Sequence, residues 1–174
     1  KIDVAKYRSG EMKVISGMFG REKVHYIAPA PEKISDEMNL FLEWFNSDTH
    51  NGYVKSAIAH LWFVCIHPFE NGRMGRSIAE MALSQAEDSK MRFFSISHQI
   101  NKDKKQYYDI LEETQKGNCD ITEWIVWYLD CLLRSVEQSD ETLSKVLNKA
   151  IFWQNHAETI LSERQREALN MYLA

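Results

Sequence analysis

Residues 54–66 form a nearly unbroken apolar run, which predicts a helix buried on most of its circumference. Pro68 cannot continue a helix, and the residue before a proline avoids the helical conformation. We therefore expect His67 at the end of this helix.

The chain is predicted to turn at Asn71-Gly72, where positive φ costs little, and to resume as a helix. The apolar face predicted for this second helix consists of Met74, Ile78, Met81 and Ala82. A turn that opens into a helix directs several backbone N–H groups at one place, which is typical of an anion site.

Two short strands are predicted upstream, at residues 12–16 and 23–27, around Gly17-Met18-Phe19-Gly20. This pattern indicates a β-hairpin. Without other information, the simplest interpretation is a hairpin that covers the core.

The rest of the sequence predicts helices, so the fold class is mainly α with one small hairpin. Ser35 is the predicted N-cap of a helix that buries Met38, Leu42 and Phe45. A later helix, capped by Asp120 or Thr122, has a predicted buried stripe of Ile121, Trp124, Ile125, Tyr128, Leu129 and Leu132. A separate helix is predicted at about 141–154, with Leu143, Val146, Leu147, Ala150 and Ile151 in the core.

Composition limits the class of protein. The sequence has 174 residues, 44% of them hydrophobic, which is enough for one well-buried domain. Its formal net charge of −4 does not favour broad nucleic-acid binding. There is no apolar run of membrane-spanning length, and we expect no membrane association. Cys65, Cys119 and Cys131 are odd in number and lack metal-binding spacing, which indicates reduced thiols in a cytoplasm.

The candidate chemistry lies in the run His67-Pro68-Phe69-Glu70-Asn71-Gly72-Arg73-Met74-Gly75-Arg76. His67 has an imidazole that can accept a proton near neutral pH. Arg73 and Arg76 are three residues apart and project from one side of the first helical turn. The helix dipole disfavours each cation there by roughly 0.3–1 kcal/mol, so their pairing indicates that a polyanion binds between them. Taken singly, each of these residues would more often be a cap, a core residue or a solvated charge.

The run resembles the signature of Fic (Fido) domains, H-P-F-x-[D/E]-G-N-G-R-x-x-R, in its His-Pro-Phe, Asn-Gly-Arg and final Arg. It lacks two residues between Glu70 and Asn71. Either the protein has a true deletion there, or the given sequence omits two residues. The resemblance implies a Fic-type helical bundle, with a Fic domain over residues 1–158. That domain would comprise a flap hairpin at about 12–28 and core helices at about 35–155.

The family resemblance implies a protein adenylyltransferase (AMPylator) that transfers AMP from ATP to a Ser, Thr or Tyr hydroxyl of a target protein. It implies His67 as the base. The residues expected to bind nucleotide are Asn71, Gly72, Arg73, Met74, Gly75, Arg76 and Tyr107. Tyr107 is the candidate to stack on adenine, although a core role is an equal alternative. Glu70 is the candidate ligand of Mg²⁺ or Mn²⁺.

In Fic proteins the flap holds the target by strand addition, and here Val24, His25, Tyr26 and Ile27 would do so. An inhibitory helix with [S/T]-x-x-x-E-[G/N] is common in the family, but Glu70 is the only Glu followed by Asn or Gly. The inhibitory segment is then expected upstream of Lys1 or on a partner protein, or it is lacking. A homodimer is a further expectation.

Residues 159–174 are predicted to form a terminal helix, which resembles the start of a winged-helix module. If that module is present, DNA becomes a partner through it; otherwise the segment is a simple helix. Two classes of function therefore remain open: an AMP-transferring enzyme, and a catalytically weak nucleotide-binding regulatory module.

Overall fold

The structure, a computed structural model, describes residues 6–69, 73–87 and 93–173. It is mainly helical with one small antiparallel hairpin, which confirms the predicted fold class. The strands are β1 (Lys13–Ser16) and β2 (Lys23–Ile27), followed by a 3-10 turn at Pro31–Lys33. The helices are α1 (Ile34–Ser47), α2 (Gly52–Ile66), α3 (Met74–Glu87), α4 (Ile96–Lys102), α5 (Lys104–Lys116), α6 (Thr122–Asn155) and α7 (Glu163–Tyr172).

The hairpin contains a β-bulge at its centre. Val14 pairs with Tyr26 and Ile15 pairs with Val24, so His25 is the extra residue on β2. The turn between the strands uses Gly17 at φ 107°. A Cβ added to Gly17 would lie 2.6 Å from the carbonyl oxygen of Arg21, so this tight turn requires glycine.

Helix α2 is the central element, because its residues belong to two core clusters. Ala57 and Leu61 pack with residues of α3, α4, α5 and α6, while Phe63 and Ile66 pack with α1. The helix starts at Asn51, whose side chain accepts a hydrogen bond from the Tyr53 N–H at 3.0 Å. Its end at Ile66 puts His67 at the C-cap, as the sequence predicted.

Several polar groups inside this core are paired, although His60 Nδ1 and Trp127 Nε1 have no hydrogen-bond partner among the described residues. The Ser56 hydroxyl donates to the carbonyl of Ala79 at 2.9 Å and lies 2.7 Å from the Tyr128 hydroxyl. The Trp124 indole donates to the carbonyl of Ala57 at 2.8 Å. These bonds join α2 to α3 and α6, and they satisfy polar atoms that would otherwise be buried without a partner.

The predicted apolar face of α3 is only partly in the core: Ala82 is buried and Ile78 packs against a core cluster, whereas the placement of Met74 and Met81 is wrong. The residues that α3 buries are Gly75, Ala79, Ala82 and Leu83, whereas Met74 and Met81 are 42% and 45% exposed. The reason is the short distance between α2 and α3: a Cβ on Gly75 would lie 2.7 Å from Val64 Cγ2. Only small side chains fit along such a contact, so the large methionines face outward.

Two further expectations about helices are wrong. Ser35 lies inside α1, because Pro31 starts a 3-10 turn that leads directly into that helix; Phe41 is buried while Leu42 is 44% exposed. The separate helix predicted at about 141–154 is part of α6, since residues 122–155 contain neither Gly nor Pro. The predicted core residues of this segment, Leu143, Val146, Leu147, Ala150 and Ile151, are exposed.

The close approach of α2 and α3 can be tested at Gly52. A Cβ on Gly52 would lie 2.1 Å from Ala86 Cβ, so Gly52→Ala must push the helices apart. We expect it to lower the free energy of unfolding by about 1–3 kcal/mol in urea denaturation. Gly10→Ala is the matched control, because nothing lies within 4 Å of the added atom. Equal stability of the two variants would contradict the packing described here.

Candidate functional site

A pocket of about 710 Å³ opens between the end of α2, the start of α3, helix α5 and the hairpin. Five of the residues predicted from the sequence line it: His25, His67, Arg73, Arg76 and Tyr107. Five others, Val24, Tyr26, Ile27, Met74 and Gly75, lie next to these in the chain but are not among the lining residues. Glu70, Asn71 and Gly72 are outside the described residues.

His67 has a left-handed backbone conformation, with φ 48° and ψ 55°. Its N–H still donates to the carbonyl of Phe63 at 3.0 Å, and Pro68 then prevents another helical turn. A left-handed conformation costs a residue with a side chain about 1–3 kcal/mol, so surrounding contacts must hold it. This conformation ends α2 and leaves the imidazole half-buried at the pocket.

Arg8 supplies those contacts. Its guanidinium donates to the carbonyl oxygens of His67 (2.8 Å), Gly10 (2.8 Å), Pro29 (2.5 Å) and Ile66 (3.4 Å). Its backbone N–H also donates to the carbonyl of Pro68 at 2.9 Å. We call this set of bonds the Arg8 clamp; it joins the segment before β1, the end of β2 and the His67 turn. Sequence reasoning missed Arg8, because no local pattern marks an arginine that binds distant carbonyl groups.

The environment of His67 favours its neutral form. Burial lowers the pKa of its imidazole, and the positive charge of Arg8 acts in the same direction. A hydrogen bond to the backbone of Val64 opposes both. The net direction is downward, so at neutral pH the ring carries no charge and can accept a proton.

Arg73 and Arg76 are at the start of α3, and both line the pocket that His67 also lines. The N–H of Arg76 donates to the carbonyl of Arg73 at 3.2 Å, which places the two residues in one turn. Lys104, at the start of α5, brings a third cation to the pocket wall. Two carboxylates, Asp109 and Glu112, line the pocket as well, so the positive charge is greatest where Arg73 and Arg76 lie together at the start of α3, and this favours an anionic ligand there.

Tyr107 is held in an aromatic cluster with Trp124 and Trp127, at ring-centroid distances of 6.2 and 5.8 Å. Its hydroxyl lies 3.0 Å from Nε2 of His60, which is fully buried and stacks on Trp124. Tyr107 is thus a core residue that also lines the pocket. Its neighbour Tyr108 lines the same pocket and is 52% exposed, and sequence reasoning missed it.

The four residues predicted in the flap differ in their surroundings. Val24 and Ile27 are exposed, while the Tyr26 hydroxyl donates to the carbonyl of Cys65 at 2.9 Å. His25 binds Ser16 and Glu112. The hairpin is therefore attached to α2 through Tyr26 and to α5 through His25.

Comparisons with known proteins find similar sequences and similar folds. Residues 3–83, slightly less than half of the chain, match the model of the Fic/DOC family. A Fic family protein from Desulfovibrio desulfuricans G20 superposes with a TM-score of 0.69 at 26% identity, over 79% of this chain and 41% of that chain. A Fic domain containing signaling protein from Bacteroides thetaiotaomicron gives 0.60 at 22% identity, over 79% of this chain and 55% of that chain. The fold is therefore of the Fic type, and residues 3–83 are similar to the Fic/DOC family.

Two curated relatives are similar in sequence. Protein adenylyltransferase Fic from Nematostella vectensis is 27% identical over 143 residues, which cover 78% of this chain and 29% of the relative. Protein adenylyltransferase Fic from Aedes aegypti is 30% identical over 129 residues, covering 70% of this chain and 24% of the relative. The aligned region thus spans less than a third of these relatives' length.

Within residues 6–69, 73–87 and 93–173, no helix combines the length and apolar character needed to cross a bilayer. The three cysteines carry free thiols.

His60 makes the fold sensitive to acid. Burial lowers the pKa of its imidazole to about 4, whereas an unfolded histidine has a pKa of about 6.5. Below pH 6.5 the unfolded chain binds this proton first, so stability falls with pH until the folded protein also binds it near pH 4. The linked loss is about 3 kcal/mol. We expect His60→Gln to remove this loss, measured as the free energy of unfolding between pH 7 and 4.

The control for His60 is His98→Gln, because His98 is exposed on α4. That variant should keep the wild-type pH dependence. The assignment to His60 is contradicted if both variants lose stability with falling pH as the wild type does.

Proposed function

We propose that this protein is a protein adenylyltransferase, which transfers AMP from ATP to a Ser, Thr or Tyr hydroxyl of a target protein and releases pyrophosphate. The observation that carries the proposal is the pocket shared by His67, Arg73 and Arg76. The curated relatives bear the name of this activity, and the match to the Fic/DOC model supports the same class.

The proposed reaction is an in-line displacement at the α-phosphorus of ATP. The target hydroxyl forms a new P–O bond while the bond between the α- and β-phosphates breaks, and pyrophosphate leaves. His67 takes the hydroxyl proton, a role that its lowered pKa supports because the ring is neutral before the reaction.

The two arginines have an electrostatic role in this proposal. Arg73 and Arg76 bind the β- and γ-phosphates, and guanidinium groups suit phosphate because they form paired, charge-assisted hydrogen bonds. Asn71 and Gly72 are proposed to hold further phosphate oxygens, from their place in the sequence alone. Binding of the leaving group lowers the barrier, because negative charge develops on it during the displacement.

The resemblance to Fic domains implies Mg²⁺ or Mn²⁺, with Glu70 as the proposed ligand. Glu70 lies outside the described residues. Among the side chains that the structure does describe, no group of three His, Cys, Asp or Glu could hold a metal ion. The described residues offer no ligand set for the metal, so the steps above use only groups of the chain and of ATP.

Partners and compartment are part of the same proposal. The hairpin would hold the target segment along a strand edge, since backbone hydrogen bonds tolerate varied sequences. An inhibitory helix, a DNA-binding module beyond residue 174 and a homodimer remain predictions from the sequence. The cytoplasm is the proposed compartment, which the three free thiols support.

A second function is favoured by one observation, the short signature run between Phe69 and Arg73. If the protein truly lacks two residues in this run, the groups that bind the phosphates are placed differently. The pocket would then serve a regulatory module that binds nucleotide without turnover. Such a module should bind ATP in calorimetry, with no modified target in mass spectrometry.

The enzyme proposal is tested by incubating the chain with labelled ATP, Mg²⁺ and a cell lysate. We expect label on lysate proteins with the wild type, and a decrease of at least about 100-fold in His67→Ala, because general-base catalysis contributes that much. The control is His98→Ala, which changes an exposed histidine of α4. If His67→Ala labels lysate proteins as strongly as the wild type does, His67 is not the base. If the wild type labels no lysate protein, the proposed enzyme activity is refuted.

A further inference from the structure

Tyr107 and Tyr108 of α5 form an aromatic wall of the pocket. Both line the cavity that Arg73 and Arg76, from the start of α3, also line. The two tyrosine rings meet edge to face, with centroids 5.1 Å apart. Aromatic side chains stack on nucleobases. A nucleotide whose phosphates bind to the two arginines can therefore place its base against the aromatic wall.

The hydroxyl of Tyr107 is bound from inside the core by His60 of α2. Tyr107 Oη lies 3.0 Å from His60 Nε2. The imidazole is fully buried. It stacks on Trp124 at a centroid distance of 5.6 Å and also contacts Tyr128 at 6.0 Å. A ring packed against these neighbours cannot reorient without displacing them, so its hydrogen bond fixes the position of Tyr107.

This hydrogen bond joins two neutral groups. Burial lowers the pKa of His60 to about 4 and raises the pKa of the Tyr107 hydroxyl. At pH 7 the imidazole is therefore uncharged and the hydroxyl keeps its proton. Either tautomer of the imidazole allows the bond, because Nε2 accepts from the hydroxyl in one tautomer and donates to it in the other.

His60 also lies close to the first turn of α3. A Cβ built on Gly75 would be 3.8 Å from His60 Cε1. The positive charge of Arg76 acts, after burial, on the pKa of both His60 and Tyr107, so the guanidinium is near both rings. One buried imidazole is thus adjacent to the turn that carries Arg76 and bonded to the aromatic wall of α5.

We propose that His60 is a positioning residue of the nucleotide site, which holds the ring of Tyr107 where the base of ATP stacks. This inference rests on the proposed function, because ATP is the ligand. His60 is fully buried, so it acts through Tyr107 and not by contact with ATP. Loss of its hydrogen bond should weaken recognition of the base and leave phosphate binding intact.

Calorimetric titration of the full chain with ATP and with inorganic tripolyphosphate, each with Mg²⁺, separates the two contributions. His60→Phe keeps a ring against Trp124 but cannot bind the Tyr107 hydroxyl. We expect it to weaken ATP binding by about 10-fold, the size of one stacking contact, and to change tripolyphosphate binding by less than about 2-fold. In transfer of AMP to lysate proteins it should raise KM for ATP without changing kcat, because the base takes no part in the reaction.

Further variants separate positioning from stability. His60→Gln should bind ATP as the wild type does, because its amide can donate to or accept from the Tyr107 hydroxyl. Tyr107→Phe removes the other half of the bond and should weaken ATP binding as His60→Phe does. The double variant leaves neither partner of the bond buried and unpaired. It should therefore unfold at a urea concentration close to that of the wild type, yet bind ATP as weakly as either single variant.

His98→Phe and Tyr53→Phe are the matched controls, because both residues are exposed. Each makes the same chemical change as one of the test variants, away from the bond between His60 and Tyr107. Both controls should bind ATP and tripolyphosphate as the wild type does.

Failure of this inference differs from failure of the proposed function. If the wild type binds ATP and His60→Phe binds it equally well, the positioning role is overturned and the enzyme proposal stands. The same conclusion follows if His60→Phe loses affinity for ATP and tripolyphosphate to the same extent, or if His60→Gln binds ATP as weakly as His60→Phe does. A wild type that binds no ATP overturns both proposals.

Discussion

The Arg8 clamp is the interaction on which the geometry of the pocket depends. One buried guanidinium donates to carbonyl groups before β1, after β2 and at the end of α2. Each of these segments has backbone carbonyl groups that need donors. Hydrogen bonds from a charged donor contribute about 1.5–3 kcal/mol each, which is enough to offset the left-handed conformation of His67.

The clamp also has an electrostatic effect on the site. It places a positive charge close to His67, and this charge adds to burial in lowering the pKa of the imidazole. The result is a neutral base beside the two cations, Arg73 and Arg76, that line the pocket at the start of α3. A polyanionic substrate can then bind in the same cavity as the imidazole without forming an ion pair with it, and the imidazole remains able to accept a proton. Attachment of the hairpin through His25 and Tyr26 closes another side of the cavity.

Features governed by local sequence were predictable. Pro68 fixed the end of α2, and the glycines between the two apolar segments marked the hairpin turn. That His67, Arg73 and Arg76 line one pocket followed from a helix end and a helix start only a few residues apart in the chain. The resemblance to Fic domains added the expected role of the hairpin, which periodicity could not provide.

Features set by tertiary packing were not predictable. Nothing in α3 itself shows that Gly75 and Ala79 face α2 while Met74 and Met81 face outward, because the distance between the helices decides this. A one-residue bulge decides where His25 points, and periodicity cannot locate it. The continuity of α6 could have been inferred from the absence of Gly and Pro, whereas the exposure of its second half could not.

The most direct test of the site is calorimetric titration of the chain with ATP and Mg²⁺. Arg76→Gln removes one of the cations that line the pocket, and Arg21→Gln removes an exposed cation of the hairpin turn. The site described here predicts that Arg76→Gln weakens ATP binding by about 10–100-fold, as expected for the loss of a charge-assisted contact, and that Arg21→Gln binds as the wild type does. Equal affinities for ATP in the wild type and Arg76→Gln would contradict it.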